Sequence, residues 1–161
     1  MAKHGSKRTS RNLDRTDCAI IKLLQADGRL SNIEIAKKLA ISESTVRTRL
    51  NRLLKEEFIR IVAVSNPIKL GFGVTGSIRI DTDINKVAHI TKELEKLKPI
   101  WFIVHSTGSS DIYTEFLVKS LDELNELLFE KISRIDGIIR TNTSIIIKFI
   151  KRNYQWGTGL Y

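Results

Sequence analysis

The segment SESTVRTRLNRLLK, residues 42–55, carries the residue types most suited to chemistry with a polyanion. Val46, Leu50, Leu53 and Leu54 recur at helical spacing and form an apolar stripe. Once that stripe is assigned inward, Ser44, Thr45, Arg47, Thr48, Arg49, Asn51 and Arg52 remain on the other side. Hydroxyls hydrogen-bond base edges or phosphates, and a guanidinium grips guanine or a phosphate through two parallel N–H bonds. The N-terminal turns of a recognition helix approach the bases most closely. Ser44, Thr45 and Thr48 are therefore candidates for base contact, with Arg47 and Arg49 reading guanine or clamping phosphate, and Ser42 and Arg52 complete the DNA-binding set. Metal chemistry has no comparable constellation: His4, His89 and His105 are far apart, and Cys18, the single cysteine, offers neither a disulfide nor a thiolate cluster. No metal and no cofactor are expected.

A recognition helix needs a scaffold. Leu13 to Asp27 reads as a first helix, with Asp14 as N-cap, Asp17 three residues on, Ile20, Ile21, Leu23 and Leu24 periodic, and Gly28 as the stop. Ser31 and Glu34 form a capping box for a second helix that turns Ile35, Ala36 and Leu39 inward. Ala40 and Ile41 make a short turn, and Ser42 caps the third helix. Three short helices with a tight turn between the last two are the helix-turn-helix arrangement, placed at residues 13–57.

Residues 58–71 read as a linker, with a strand from Phe58 to Val64 and a break at Asn66-Pro67. From Phe72 the period changes to two: Val74, Gly76, Ile78 and Ile80 share one face, and Thr75, Ser77 and Arg79 the other. A helix follows from Ile84 to Leu97, with Val87, Ile90, Leu94 and Leu97 inward. Ile100 to Ser106 and Asp111 to Lys119 are strands joined by the turn Thr107 to Ser110. A helix capped by Ser120 with Glu123 runs to Ser133, and Ile138 to Lys151 is a closing strand. The order β-α-β-β-α-β is that of a ferredoxin-like domain, residues 72–151. The fold class is α+β: a winged-type helix-turn-helix domain followed by a ferredoxin-like sensor and assembly domain. Residues 1–12 are expected to be a basic disordered arm and residues 152–161 a C-terminal tail.

Charge is distributed in agreement with this division. The formal net charge is +9, and residues 1–60 carry fourteen lysines and arginines against seven acids, whereas the remainder is close to balanced. A basic module joined to a nearly neutral one suits a polyanion-binding head. No apolar run approaches the roughly 18 residues of a membrane span, and no uninterrupted hydrophobic stretch follows the charged start. A cytoplasmic protein without a membrane partner is the expectation.

These residues resemble the leucine-responsive and asparagine regulators, the Lrp/AsnC or feast/famine family, in an archaeal-like form. Leu13-Asp14-Arg15-Thr16-Asp17 resembles its entry to helix one, Asp27-Gly28-Arg29-Leu30-Ser31 its first turn, and Gly108-Ser109-Ser110-Asp111 the glycine-to-aspartate loop of its sensor domain. The likeness runs from Asn12 to Ile150. It departs at Ala40, where the family usually has glycine, and after Ile150.

The resemblance implies a transcriptional regulator rather than an enzyme. It implies a homodimer formed through the C-terminal sheets, assembled further into a tetramer or octamer, on pseudo-palindromic double-stranded DNA operators. It also implies a small amino-acid effector bound between dimers, against the loop Thr107, Gly108, Ser109, Ser110 and Asp111. In that reading loop N–H groups and hydroxyls hold a carboxylate, Asp111 holds an ammonium, and Thr141 and Thr143 contribute from the facing strand. The loop residues alone are equally consistent with a hairpin turn in which Gly108 supplies a positive φ. Two rivals share the scaffold. One is an architectural chromatin protein with weak sequence preference, which the charge suits. The other is a haem-biosynthesis decarboxylase, for which His105, with Ser106 and Asp111, would have to supply catalysis.

Overall fold

The computed structural model describes residues 13–151, which fall into two compact units, one ending at Ala63 and one spanning Val64–Ile150. The expected arm and tail lie outside the described residues.

In the first unit α1 spans Arg15–Ala26, α2 Asn32–Leu39 and α3 Glu43–Lys55. Each start is fixed by a short-range cap. Asp14 and Asp17 form a reciprocal capping box, as do Ser31 and Glu34, and the Ser42 hydroxyl accepts from the Thr45 N–H at 3.1 Å. Ile20, Ile21, Ile35, Ala36, Val46 and Leu53 form the buried centre, with Leu13, Leu23, Leu24, Leu30, Leu39, Ile41 and Ile59 packed around it. Leu54, expected inward, is exposed, because one aliphatic per turn of α3 fills the space above α1 and α2.

Two helix ends use the left-handed conformation without glycine. Ala40 has φ 53° and ψ 42°, so the alanine keeps the turn that a glycine would make more cheaply. After α3, the Phe58 N–H bonds the Leu53 carbonyl and the Glu57 N–H the Leu54 carbonyl, a Schellman closure with Glu57 at φ 58°.

Between the units the expected strand Phe58–Val64 does not form. Ile61, Val62 and Val64 are exposed, and a lone extended segment has no ladder to satisfy its backbone. Asn66 does mark a turn, its Oδ1 accepting from the N–H groups of Ile68 and Lys69.

The second unit contains β1 Val74–Thr82, α4 Val87–Glu95, β2 Ile100–His105, β3 Ile112–Val118, α5 Leu121–Asn125 and β4 Ile138–Ile145. The path of α5 continues through a wider π-type stretch, Glu126–Lys131, and a 3₁₀ turn, Ile132–Arg134. All strand pairs are antiparallel, in the order β2-β3-β1-β4. The first helix is shorter than expected, leaving Ile84 exposed, and β4 ends at Ile145 rather than Lys151. The core is a single layer between helices and one sheet face: Ile78, Ile80, Ile112, Phe116 and Val118 against Ile90, Leu94, Leu124, Leu127 and Ile132. Gly76 is required there by space. A Cβ would lie 2.1 Å from the Ser144 carbonyl oxygen and 2.8 Å from the Phe116 ring.

Strand alternation places Thr75, Ser77, Arg79 and Asp81 of β1 on the face away from the helices. Their register partners Leu117, Glu115 and Tyr113 on β3, and Ser144, Asn142 and Arg140 on β4, share that face.

Candidate nucleic-acid interface and ligand site

The recognition helix is built as expected at its start and differently along its length. The Ser42 hydroxyl lies 2.9 Å from Ser44 Oγ and 2.7 Å from Thr45 Oγ1, so Ser42 serves the cap and orients both neighbours. The Thr48 hydroxyl donates to the Ser44 carbonyl, and Ser44 and Thr48 are exposed. Arg47 projects into solvent with its side chain 62% exposed, bonded through Nε and Nη2 to Glu43 at the first position of the helix. An exposed i,i+4 pair of this kind stabilises by only a few tenths of a kcal/mol, so Arg47 can leave it for a base or phosphate.

Arg49 and Arg52 are placed otherwise. Arg49 donates to both Asp14 and Asp17, and Arg52 donates to Asp17, whose side chain is 1% exposed. The two acids that cap α1 thus also fasten α3. Arg49 and Arg52, expected to contact DNA, neutralise a buried carboxylate, which without them would carry an uncompensated charge. The Arg52 Nε is buried with no partner. Asp14 is held below the ordinary aspartate range, first by the Asp17 N–H and then by Arg49, and Arg49 is raised by the same contacts, Asp14 leading. Their own loss leaves other cations outward: Lys37 and Lys38 in the last turn of α2, and Lys55 at the end of α3, are all exposed. Nothing in the sequence sets the two lysines apart from an ordinary solvated helix end.

In the second unit the loop 107–110 has Gly108 at φ 112°, and Thr107, Gly108 and Ser109 are exposed while Ser110 is buried. Asp111 is committed to the fold: its Oδ2 accepts from the Thr82 N–H at 2.7 Å and the Thr82 hydroxyl at 3.0 Å. The Ser106 hydroxyl donates to the Ser110 carbonyl. Among the described residues no side-chain hydrogen bond joins His105 to Ser106 or Asp111.

Ser109 lines a polar concavity of about 240 Å³ with Arg79, Asp81, Arg140 and Asn142. Arg140 donates through Nε (2.9 Å) and Nη2 (2.8 Å) to Asp81 Oδ2. Thr141 and Thr143 sit opposite Ile80 and Ile78, on the helix-packed face, and are not brought to Ser109. Period-two alternation turns them to the opposite face from Arg140 and Asn142. The outward alternation of Arg79, visible in the sequence, was the available signal for the concavity.

A three-helix unit with a capped, polar-faced last helix, followed by a ferredoxin-like unit with a polar concavity, defines a helix-turn-helix DNA-binding regulator with an appended ligand-binding module. Residues 13–60 match the model described as winged helix-turn-helix DNA-binding, and residues 75–156 match the Lrp/AsnC ligand binding domain. An uncharacterized HTH-type transcriptional regulator of Pyrococcus horikoshii is 42% identical over 143 residues, covering 88% of this chain and 90% of that one. The HTH-type transcriptional regulator FL11 of Pyrococcus abyssi is 34% identical, covering 89% and 95%. Among solved structures, AsnC of E. coli superimposes with a TM-score of 0.83 at 25% identity, covering 88% of this chain and 97% of that one. A Neisseria meningitidis transcriptional regulator solved as an L-Met complex also gives 0.83, at 22% identity, over 89% and 95%. The chain belongs to the Lrp/AsnC family of transcriptional regulators. No helix among the described residues is long and apolar enough to cross a membrane.

Proposed function

We infer that the protein acts as a cytoplasmic homodimer, assembling into a tetramer or octamer, that sets two copies of α3 into successive major grooves of a pseudo-palindromic operator. The observation that carries this reading is the division of labour on α3. Ser44, Arg47 and Thr48 face outward, while Arg49 and Arg52 hold the helix to α1. A reading head is useful only if its frame is fixed while its contact side chains stay free. Lys37, Lys38 and Lys55 supply phosphate contacts that set affinity without sequence preference.

Assembly is supported by the open sheet face. Phe102 and Val104 on β2 are exposed at its edge, beside Trp101, and Phe102 packs edge-on against Tyr113 with ring centroids 6.4 Å apart. Apolar surface of this kind on a sheet with helices on one side only is covered by another layer, here a second copy. A small amino-acid effector at the sheet unit, between dimers, modulates binding. The family's ligand-binding domain and a fold relative bound to L-Met support it.

Genomic fragments selected by the purified protein at physiological salt supply the operator for the test. Arg47→Ala and Thr45→Ala are expected to weaken operator binding at least about tenfold more than random-sequence binding. Equal losses on both DNAs would replace base reading with an architectural, sequence-tolerant role.

A further inference from the structure

We propose, resting on the operator-reading function above, that Glu43 is a positioning residue for base recognition. It holds Arg47 so that the free end of the guanidinium meets a guanine in the major groove.

Glu43 is the first residue of α3 and Arg47 lies one turn on, so the two side chains stand one above the other. An acid is unexpected at this place. The N-terminal turns of a recognition helix come closest to DNA, and a carboxylate among phosphates lowers affinity. Glu43 is also the sole acid within α3, whose other charged residues are Arg47, Arg49, Arg52 and Lys55.

Its bonds to Arg47 show a use for it. Nε donates to Glu43 Oε1 at 3.2 Å, and Nη2 donates to Oε1 at 2.7 Å and to Oε2 at 2.8 Å. The carboxylate thus occupies the edge of the guanidinium that carries Nε. Nη1, on the other side of the fork, bonds nothing among the described residues. That end, Nη1 beside Nη2, can meet the adjacent acceptors O6 and N7 of guanine. The Glu43 side chain is 33% exposed against 62% for Arg47, so the carboxylate stands closer to the helix and the guanidinium reaches beyond it.

Held in this way, Arg47 differs from a free cation. An unpaired arginine has much rotamer freedom and is drawn to phosphates, which carry no sequence. A guanidinium closed on a carboxylate has fewer orientations to lose and, as a neutral pair, little general attraction to the DNA backbone. The pair is weak in water and strengthens where the groove excludes water. Selectivity follows, because adenine presents an amino group where guanine has O6, and a fixed guanidinium then sets donor against donor.

Binding of the purified full chain is measured on a selected operator, on the same operator with each G·C pair replaced in turn by A·T, and on random-sequence DNA, over a range of salt. At the position most sensitive to Arg47→Ala, the wild type is expected to favour G·C by at least about tenfold. Glu43→Gln is expected to cut that preference at least about threefold, while random-DNA binding rises about two- to fivefold and its salt dependence steepens. Glu43→Asp keeps the acid at the helix start but shortens its reach, and should lose part of the preference without steepening the salt dependence. In the Arg47→Ala background, Glu43→Gln is expected to leave base preference untouched, because Glu43 acts through Arg47.

Equal losses on all three DNAs would mean that the carboxylate only favours the helix start, and would overturn the proposal. A preference unchanged in both Glu43 variants overturns it too, while base reading by Arg47 stands. If Glu43→Gln still alters the preference in the Arg47→Ala background, Glu43 contacts the base itself and its action through Arg47 is overturned. If Arg47→Ala weakens all DNAs alike, or no operator is selected, base reading falls and the proposal with it.

Discussion

The two units are secured by different forces at the points that matter for function. The helical unit has six buried residues in its apolar cluster, and it supplements that small centre with charge: Asp17 lies at the junction of α1 and α3 with Arg49 and Arg52 closed upon it. The sheet unit buries eleven residues in its core and depends on close fit, most tightly where Gly76 lies under Phe116 and against Ser144. Electrostatic fastening orients a helix through a few directed bonds and responds to acid and to charge-altering substitutions. Packing responds first to changes of volume. The reading head therefore has adjustable chemistry on a fixed axis, while the sheet unit is a rigid platform.

The contrast is sharpest at Gly76. Gly76→Ala is expected to destabilise the sheet unit by about 2–4 kcal/mol, because backbone oxygen and an aromatic ring would both have to move. Native-state hydrogen exchange should show β1 and β3 opening more readily with α1 and α3 unaffected; equal loosening of both units would break the distinction.

Asp17→Asn should cost the helical unit about 2 kcal/mol, read from the urea midpoint of its helical signal, as one carboxylate facing two partly exposed guanidiniums is lost. Because Arg49 and Arg52 are then released, binding to random DNA should rise and its salt dependence steepen. Loss of random-DNA binding would show that the two arginines need Asp17 to reach phosphate.

Acid should discriminate as well. The folded Asp14 pKa lies below its ordinary value, principally through the Asp17 N–H and then Arg49. Its contribution is complete above the ordinary aspartate value, about 3.9, and is lost as pH falls through the lowered folded value. Asp14→Ser, which retains a capping oxygen without a charge, should flatten the decline of helical-unit stability below about pH 4. An unchanged decline would place the acid sensitivity elsewhere.

The smallest effect is expected at Ala40→Gly. Relief of the left-handed conformation, about 1–2 kcal/mol, exceeds the added chain entropy of glycine, about 0.5–1 kcal/mol, so a net gain of about 0.5–1 kcal/mol should appear in thermal unfolding. A loss would mean that the alanine methyl group contributes packing to the turn.

What could be read from the sequence was what is local. Caps at Asp14, Ser31 and Ser42 involve partners three residues away, and the alternation of β1 and β3 depends only on neighbours, so both were legible. Ser120 was partly so: its hydroxyl accepts from the Glu123 N–H, but the Glu123 carboxylate turns to the Lys119 N–H instead. The ion pairs of Arg49 and Arg52 were not legible, because a basic helix looks the same whether its cations stay in solvent or reach acids more than thirty residues earlier in the chain. The linker strand misled because apolar alternation does not reveal whether a pairing edge exists. The placing of Arg140 and Asn142 beside Ser109 was not legible, since the parity of an edge strand is fixed only by its register on β1.

The fastening of α3 has a bearing on how such a head diversifies. Asp14, Asp17, Arg49 and Arg52 form a closed set in which each member constrains the others, so a change in one is penalised unless its partners change too. Positions 44, 47 and 48 lie outside that set. Duplicated copies of the gene could drift toward new operators by altering those three alone, each intermediate still holding its helix in place, which makes the lock a source of evolvability.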